Sequence, residues 1–190
     1  MSARATHAAR TIRARATWSG SPSEATFRDV MSQVCSPVSV ITTIADGRPH
    51  GTTVSAFASL SADPPMILVA LDHRSELLAL VRTTRRLGVN VLGTEHVDLA
   101  TRFAQKGSDT FSGVDWALDH GLPRIGSCPG WLACTVDRLV RGGDHVVAFA
   151  RIEFAGQDRA QPLTYHSREF GTHVSIEPGH LTTRDSGRTA

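Results

Sequence analysis

Short apolar strand patterns separated by turn signals constrain the fold of this chain more than any other feature. Residues 38–45 (VSVITTIA) are rich in β-branched side chains and end at Asp46-Gly47, a dipeptide typical of hairpin turns. An extended stretch is predicted over 49–61, and after a proline break the wholly apolar segment 66–71 is expected to be buried on both faces. The pattern predicts further strands at 87–92, 131–140 and 145–154.

Two short helices interrupt these strands. The first is predicted over 76–82 with Ser75 as its N-cap, and the second over 95–105, where apolar residues recur at helical spacing. Strands outnumber helices and do not alternate with them regularly, which disfavours a βαβ architecture. We therefore predict a mainly β fold with short helices, a closed or split antiparallel β-barrel with Greek-key-like connections.

The chain of 190 residues suits a single domain, which we place at residues 23–176. Residues 1–22 are rich in Arg, Ala, Ser and Thr, a composition that fits a flexible leader and also a transit peptide. Residues 177–190 are polar and aperiodic, so we expect a flexible tail. No apolar run approaches the ~20 residues that span a bilayer, and we expect a soluble, cytoplasmic protein.

Composition and motifs disfavour several classes of function. The net charge is +2, and because four arginines precede the first acidic residue, Glu24, the remainder sums to −2, which leaves no basic face for nucleic acid. There is no HExxH, nucleophile elbow, P-loop or GxGxxG motif, so we predict no metal site and no Rossmann domain. The odd cysteine count, without CxxC spacing, predicts small apolar fillers in a reducing cytosol: Cys35, Cys128 and Cys134.

Small side chains dominate the segment 50–61 (HGTTVSAFASLS). With strand alternation, one face carries Thr53, Ser55, Phe57, Ser59 and Ser61, and the other carries Thr52, Val54, Ala56, Ala58 and Leu60. Such a surface buries little area as a core wall, but it lets a flat aromatic ligand approach the backbone closely. A solvated strand face is the alternative interpretation.

Two places could bind an anion. Asp72, Arg74 and Ser75 precede the first helix, where free backbone N–H groups, a hydroxyl and a guanidinium meet the positive end of the helix dipole. Arg102 and Lys106 lie four residues apart on the second helix and share a face that could meet a phosphate. Ordinary N-capping at Ser75 and solvated surface charge on the second helix are the alternatives.

Five segments, in this order, resemble the flavin reductase family of FMN-binding split-barrel proteins. The resemblance covers about residues 27–170. The matching segments are VSVITT (38–43), HGTTVSAFASLSADPP (50–65), GVNVL (88–92) with DLATRFAQK (98–106), CTV…GGDHVV (134–147) and PLTYHSREF (162–170).

The resemblance implies a set of site residues. It places the flavin ring along the strand that holds Thr52, Thr53, Ser55 and Ala56. It places the phosphate end of the flavin, and the remaining pocket wall, at Asp72, Arg74, Ser75, Asn90, Arg102, Phe103 and Lys106. It implies that the nicotinamide meets His145, Tyr165, His166, Ser167 and Arg168, with His145 as the residue closest to the chemistry.

The family further implies an NAD(P)H:flavin oxidoreductase. Hydride would pass from NADH or NADPH to FMN or FAD, and a partner monooxygenase would receive the reduced flavin. A flavoprotein that reduces another acceptor, and a flavin- or haem-binding carrier without turnover, are the alternatives. The resemblance also implies a homodimer, and the apolar segments 38–43 and 66–71 supply more buried strand than one small barrel needs.

Overall fold

The computed structural model describes residues 20–105, 107 and 109–176 of the chain. Most of the predicted leader, Lys106 and the predicted tail lie outside this range. The helices are α1 (Glu24–Ser32), α2 (Glu76–Thr84) and α3 (Val97–Phe103), and a 3-10 turn (Thr94–His96) precedes α3. In the described part of the chain, no helix is long and apolar enough to cross a membrane.

Twelve strands make up the rest of the regular structure. They are β1 (Ser36–Pro37), β2 (Ser39–Ala45), β3 (Arg48–Val54), β4 (Phe57–Ala62), β5 (Pro65–Asp72), β6 (Arg86–Val91), β7 (Trp116–Asp119), β8 (Leu122–Ile125), β9 (Gly130–Gly142), β10 (His145–Gln157), β11 (Thr164–His166) and β12 (Glu169–Gly171). The prediction of a mainly β fold with short helices is confirmed.

Seven strands form one antiparallel sheet in the order β3-β2-β6-β9-β10-β5-β4. The two end strands, β3 and β4, follow one another along the chain and are separated only by Ser55 and Ala56. The backbone N–H of Ala70, on β5, donates to the carbonyl of Ala56 over 2.9 Å. The sheet therefore curls until its two ends meet at this connection.

Strand β2 separates two apolar cores. Ile41 packs with buried residues of β5, β6, β10 and α2, whereas Val38 and Val40 pack with Phe103 of α3 and with Leu163. Because both faces of β2 are covered, all five residues from Ser39 to Thr43 are buried. A helix on each side thus fixes the position of β2, and β2 in turn positions β3.

Some local predictions are wrong in detail. The segment 66–71 buries only alternate residues, because one face of β5 is half-covered, and the predicted strand over 49–61 is interrupted at Ser55 and Ala56. Helix α1 lies in a region for which no element was predicted. Cys128 and Cys134 are buried, as predicted for small apolar fillers, and burial raises the pKa of each thiol to about 12. Cys35, in contrast, is exposed.

Gly88 in β6 has no room for a side chain. A Cβ atom there would lie 2.6 Å from Oγ1 of Thr42 and 2.7 Å from Cζ3 of the fully buried Trp131. We therefore expect Gly88→Ala to lower the free energy of unfolding by about 1–3 kcal/mol through overpacking. Urea denaturation measures this change. Gly142→Ala is the matched control, because a Cβ at Gly142 meets no heavy atom within 4 Å. Equal stability of the two variants would contradict the packing of β6 against Trp131.

Candidate flavin and nicotinamide cleft

A large cleft opens along β3 and has a volume of about 1110 Å³. Its floor is the continuous run from Arg48 to Ala56. The end of β5 and the start of α2 form one wall, and residues just after α3 form the other. His145, the first residue of β10, lies at the rim.

The cleft follows the free edge of β3. Side chains alternate along a strand, so a single face could line a cleft with only every second residue. Here nine consecutive residues, Arg48 to Ala56, line it. Among the described strands β3 pairs only with β2, so the backbone groups on its other edge have no strand partner in that part of the chain. These groups can hydrogen-bond to a ligand, as backbone polar groups must find partners when a ligand covers them.

Helix α3 holds β3 from the side opposite the solvent. The hydroxyl of Thr53 donates to the carbonyl of Ala100 over 2.7 Å, and that of Thr52 donates to the carbonyl of Phe103 over 3.4 Å. A Cβ on Gly51 would lie 2.9 Å from the ring of Phe103, so only glycine permits this approach. The two threonines therefore offer a ligand their backbone and methyl groups more than their hydroxyls.

The N-terminus of α2 faces the same cleft. Ser75 caps the helix, and its Oγ accepts a hydrogen bond from the backbone N–H of Leu78 over 3.4 Å. Arg74 is paired with Asp72: its backbone N–H lies 2.8 Å from the carboxylate and its Nη2 lies 3.1 Å from it. These hydrogen bonds from Arg74 hold the pKa of Asp72 well below its usual range and raise the pKa of Arg74. Arg74 and Asp72 therefore neutralise each other's charge at this wall of the cleft.

A second set of polar side chains lies between the start of β3 and the first residue of α2. Nδ1 of His50 lies 3.8 Å from the carboxylate of Glu76, which is the first residue of α2. Arg48, two residues before His50 and on the same face of β3, lines the cleft without an ion pair to any other described residue. An anionic ligand therefore meets Arg48 unneutralised, whereas Arg74 already has a carboxylate beside it.

His145 contributes a side chain to the rim. It pairs with Asp72 of β5 and Gly142 of β9 in the sheet, which fixes its backbone next to the start of α2. Nδ1 of the ring lies 2.8 Å from Oδ1 of Asp144. This hydrogen bond lowers the pKa of Asp144. Of the predicted residues, Thr52, Thr53, Ser55, Ala56, Asp72, Arg74, Ser75 and His145 all line the cleft.

Two residues expected to line the pocket do not. Asn90 is fully buried, and its side-chain amide donates towards the carbonyl of Val40 and accepts from the backbone N–H of Ile125. Phe103 is 1% exposed and packs edge-to-face against Phe111 in the core beside α3. Both side chains are used in packing, and neither is among the residues that line the cleft in this structure.

Arg102, one of the two cations predicted to share a face of the second helix, does not line the cleft. Nη1 of Arg102 donates to the carbonyl of Ser112 over 2.8 Å, and Arg102 is not among the cleft-lining residues. Lys106 lies outside the described residues. The prediction of a phosphate contact through Arg102 is therefore not supported by its position.

The segment predicted to face the nicotinamide lies elsewhere on its own chain. Tyr165 pairs with Ser36 of β1, and the backbone N–H of Ser167 donates to Ser32 at the end of α1 over 2.7 Å. Arg168 forms an ion pair with Asp29 of α1 at 2.6 Å. Neither these three residues nor His166 lines the cleft.

Several cleft residues were missed in the sequence. Arg48 and His50 stand at alternate positions at the start of β3, a spacing that places both on one face of the predicted strand and was a usable signal. Gln105, Asp109 and Thr110 follow α3 in a loop. Nothing in their local sequence brings that loop to β3, because the contact depends on how α3 packs.

The cleft suits positioning more than acid–base chemistry. Across the described residues, no group of three His, Cys, Asp or Glu side chains could hold a metal ion. A floor of Gly, Thr, Ser and Ala with free backbone groups instead fits a flat ring that carries hydrogen-bonding atoms on its edge. The cleft volume exceeds what one aromatic ring system needs and leaves room for a second ligand.

The known proteins that this chain is similar to include flavin reductases. The family model described as "Flavin reductase like domain" matches residues 31–173. The chain is 35% identical over 161 residues to the reductase subunit HsaB of a flavin-dependent monooxygenase from Mycobacterium tuberculosis, covering 83% of this chain and 84% of that protein. It is 34% identical over 157 residues to an NADH:riboflavin 5'-phosphate oxidoreductase from Streptomyces pristinaespiralis, covering 80% and 89%.

The fold is shared with solved structures of the same kind. The NADH:FAD oxidoreductase SgcE6 from Streptomyces globisporus, solved in complex with NAD and FAD fragments, superposes with a TM-score of 0.74 at 25% identity. The match covers 82% of this chain and 93% of that one. The predicted split-barrel fold is therefore confirmed. With the family model spanning most of the chain, the cleft on β3 belongs to a member of the flavin reductase like family.

Proposed function

We propose that this chain is an NAD(P)H-dependent flavin reductase that supplies reduced FMN or FAD to a partner monooxygenase. The observation that carries the proposal is the cleft along the free edge of β3, because nine consecutive residues from Arg48 to Ala56 line it. The relatives named above support it, since one is a monooxygenase reductase subunit and another an NADH:riboflavin 5'-phosphate oxidoreductase. The described cysteines are free, which supports a reducing, cytoplasmic setting.

The chemistry of such a reaction resides mainly in its two small molecules. Hydride passes from C4 of the nicotinamide to N5 of the flavin, so no general acid or base from the protein is needed for that step. The chain has to hold two rings at reacting distance. Backbone N–H groups on the free edge of β3, near Ser55 and Ala56, would donate to the polar edge of the flavin. The Thr53 hydroxyl keeps that edge in place through α3.

One measurement separates this function from its alternatives. Oxidation of NADH and NADPH is followed at 340 nm with FMN, FAD or riboflavin added to purified chain. The proposal predicts turnover that saturates with free flavin, so that flavin has a measurable KM. A tightly bound flavin that turns over without added flavin would favour reduction of another acceptor. Absence of turnover with any flavin would favour a carrier. Either result would overturn the proposal.

The N-terminus of α2 is the proposed contact for the flavin phosphate. Ser75→Ala removes a hydroxyl from the cleft, and a charge-assisted contact is worth about 0.3–3 kcal/mol. We therefore expect FMN affinity to fall about three- to tenfold while riboflavin, which has no phosphate, binds as before. Fluorescence titration with each flavin measures both affinities. Equal losses for the two flavins would remove Ser75 from the phosphate site.

Two control variants accompany Ser75→Ala. Ser23→Ala removes the equivalent N-cap hydroxyl of α1, where Oγ accepts from the N–H of Thr26 over 3.1 Å outside the cleft. It reports the effect of losing a cap alone. Arg102→Ala tests the phosphate contact that the family resemblance implies for Arg102. Because Arg102 instead donates to the carbonyl of Ser112, we expect this variant to bind both flavins with unchanged affinity.

His145 is proposed to serve the nicotinamide and not the flavin. Its ring lies at the cleft rim, where a second ring would be placed over the first. His145→Ala should leave FMN affinity nearly unchanged while the KM for NADH rises, or kcat falls, several-fold, the loss expected for about 1–2 kcal/mol. Steady-state kinetics with varied NADH measures the change, with the exposed His173→Ala as control. Normal turnover, or a parallel loss of FMN binding, would contradict this role.

A homodimer is the proposed assembly. Helix α1 buries no residue, and its apolar side chains repeat at helical spacing. These side chains, with that of Val34 two residues after the helix, are 46–63% exposed: Phe27, Val30, Met31 and Val34. The half-exposed aromatics Tyr165 and Phe170 lie on the hairpin that contacts α1, and together these six residues form what we term the α1 surface. Exposed apolar patches of this kind mark interaction sites.

The position of the predicted nicotinamide segment supports the same assembly. Tyr165 to Arg168 does not line the cleft of its own chain, although it borders the α1 surface. We therefore assign its proposed nicotinamide contacts to the cleft of a second copy. Strand β2 is buried within one chain, so residues 38–43 do not need a second barrel to cover them, contrary to the expectation from the sequence.

Light scattering at micromolar concentration tests the dimer. We expect a dimer for the wild-type chain and a monomer for Val30→Asp, because a charge at a 63%-exposed position of α1 would be desolvated in the interface. Leu118→Asp, at a 59%-exposed position of the β7–β8 hairpin, is the matched control and should remain dimeric. A monomeric wild type, or a dimeric Val30→Asp, would contradict the use of the α1 surface.

A further inference from the structure

The β9–β10 turn places Asp144 and His145 side by side at the cleft. Gly142 pairs with His145 across the hairpin, so only Gly143 and Asp144 form the turn. Gly143 has φ of 64°, the left-handed conformation that a two-residue hairpin turn needs at its first position. Oδ1 of Asp144 then lies 2.8 Å from Nδ1 of His145, which is hydrogen-bond distance.

The backbone of Asp144 is fixed from the other side. Its carbonyl accepts the backbone N–H of His73 over 3.0 Å and also lies 2.7 Å from Nδ1 of the His73 ring. A carbonyl oxygen can only accept, so Nδ1 of His73 carries the hydrogen. His73 follows the last residue of β5, and the turn is thus bound to the β5–α2 connection that forms the cleft wall.

The carboxylate determines which ring nitrogen of His145 is protonated. An ionised carboxylate only accepts hydrogen bonds, so Nδ1 of His145 must donate to it. In the neutral imidazole the other nitrogen, Nε2, then has a lone pair and accepts. A hydrogen bond of this kind also restricts rotation of the ring, in the way that partners of functional histidines generally orient them.

We propose that Asp144 is a positioning residue that fixes the tautomer and the orientation of His145, so that Nε2 accepts a hydrogen bond from the carboxamide N–H of the nicotinamide. This inference rests on the proposed function of His145. With Nδ1 donating to Asp144, the neutral imidazole accepts a hydrogen bond from the carboxamide through Nε2. The charged and titratable neighbours of the pair are Asp72 at the end of β5, and His73 and Arg74 in the β5–α2 connection.

A merely structural role for Asp144 predicts something different. Its side chain is 82% exposed, and exposed ion pairs contribute little to stability. Removal of the carboxylate should therefore leave the urea midpoint nearly unchanged and act on the ring of His145 alone. A purely structural hydrogen bond would give the reverse, a lower urea midpoint with an unchanged KM for NADH.

Nitrogen-15 NMR of the histidine side chains tests the tautomer directly. At a pH where the ring is neutral, we expect His145 in the wild-type chain to show the Nδ1–H tautomer. Asp144→Ala should give a mixture of tautomers, and Asp144→Asn should move the proton towards Nε2, because an amide can donate to Nδ1. His145→Gln identifies the resonance. An Nε2–H tautomer in the wild-type chain would overturn the proposal.

Kinetics of single and double variants test the functional consequence. We expect Asp144→Ala to raise the KM for NADH about three- to tenfold, because the His145 ring loses the hydrogen bond that orients it. The affinity for FMN should not change. In the His145→Ala background the same change should have no further effect. Asp137→Ala removes an exposed carboxylate from the same hairpin, at 3.9 Å from Arg151, and should behave as wild type.

The outcomes separate this inference from the function on which it rests. If His145→Ala impairs NADH use and Asp144→Ala does not, the positioning role is wrong while the proposed function stands. If His145→Ala has no effect on NADH use, the nicotinamide role of His145 fails and the positioning role fails with it. Additive losses in the double variant would show that Asp144 acts independently of His145, which also overturns the proposal.

Discussion

Strand β3 is hydrogen-bonded along one edge to β2, while its other edge has no partner strand in the described structure. An unpaired edge is usually a liability, and proteins keep such edges short or covered. Here β3 is held in place because β2 is buried on both faces and because the Thr53 hydroxyl donates to the carbonyl of Ala100 on α3. The cleft exists because the sheet ends at β3, so its backbone groups remain available to a ligand.

The chemical character of the site follows from this arrangement. Small side chains and backbone groups can hold a flat ring without supplying acid–base catalysis, which suits a reaction whose reacting atoms belong to two cofactors. The charged groups gather at the start of α2 and at the β9–β10 turn, where Asp72 pairs with Arg74 and Asp144 with His145. These pairs hold the side chains of Arg74 and His145 at the rim of the cleft. Charged and polar contacts to the ligands would therefore come from the rim, while a ring would lie on the floor.

Local patterns in the sequence predicted most of the strands, α2 with its cap at Ser75, and the small-residue strand that became the cleft floor. They failed where packing decides the outcome. Asn90 reads as a polar residue in an apolar strand, yet its amide satisfies buried backbone groups of β2 and β8. Helix α1 was not predicted, although its N-cap Ser23 and the helical spacing of its apolar residues were usable signals. The distance of Tyr165 from the cleft likewise depends on the pairing of β11 with β1, which local sequence does not encode.

Hydrogen–deuterium exchange of the chain with and without FMN tests whether the free edge of β3 binds the flavin, since exchange reports on backbone amides whether or not turnover occurs. Amides on the free edge of β3 should exchange readily in the unliganded protein, because no strand covers them. We expect saturating FMN to slow exchange in the peptide from Pro49 to Phe57 and at the start of α2. Unchanged exchange in that peptide, with protection elsewhere such as residues 162–171, would contradict it.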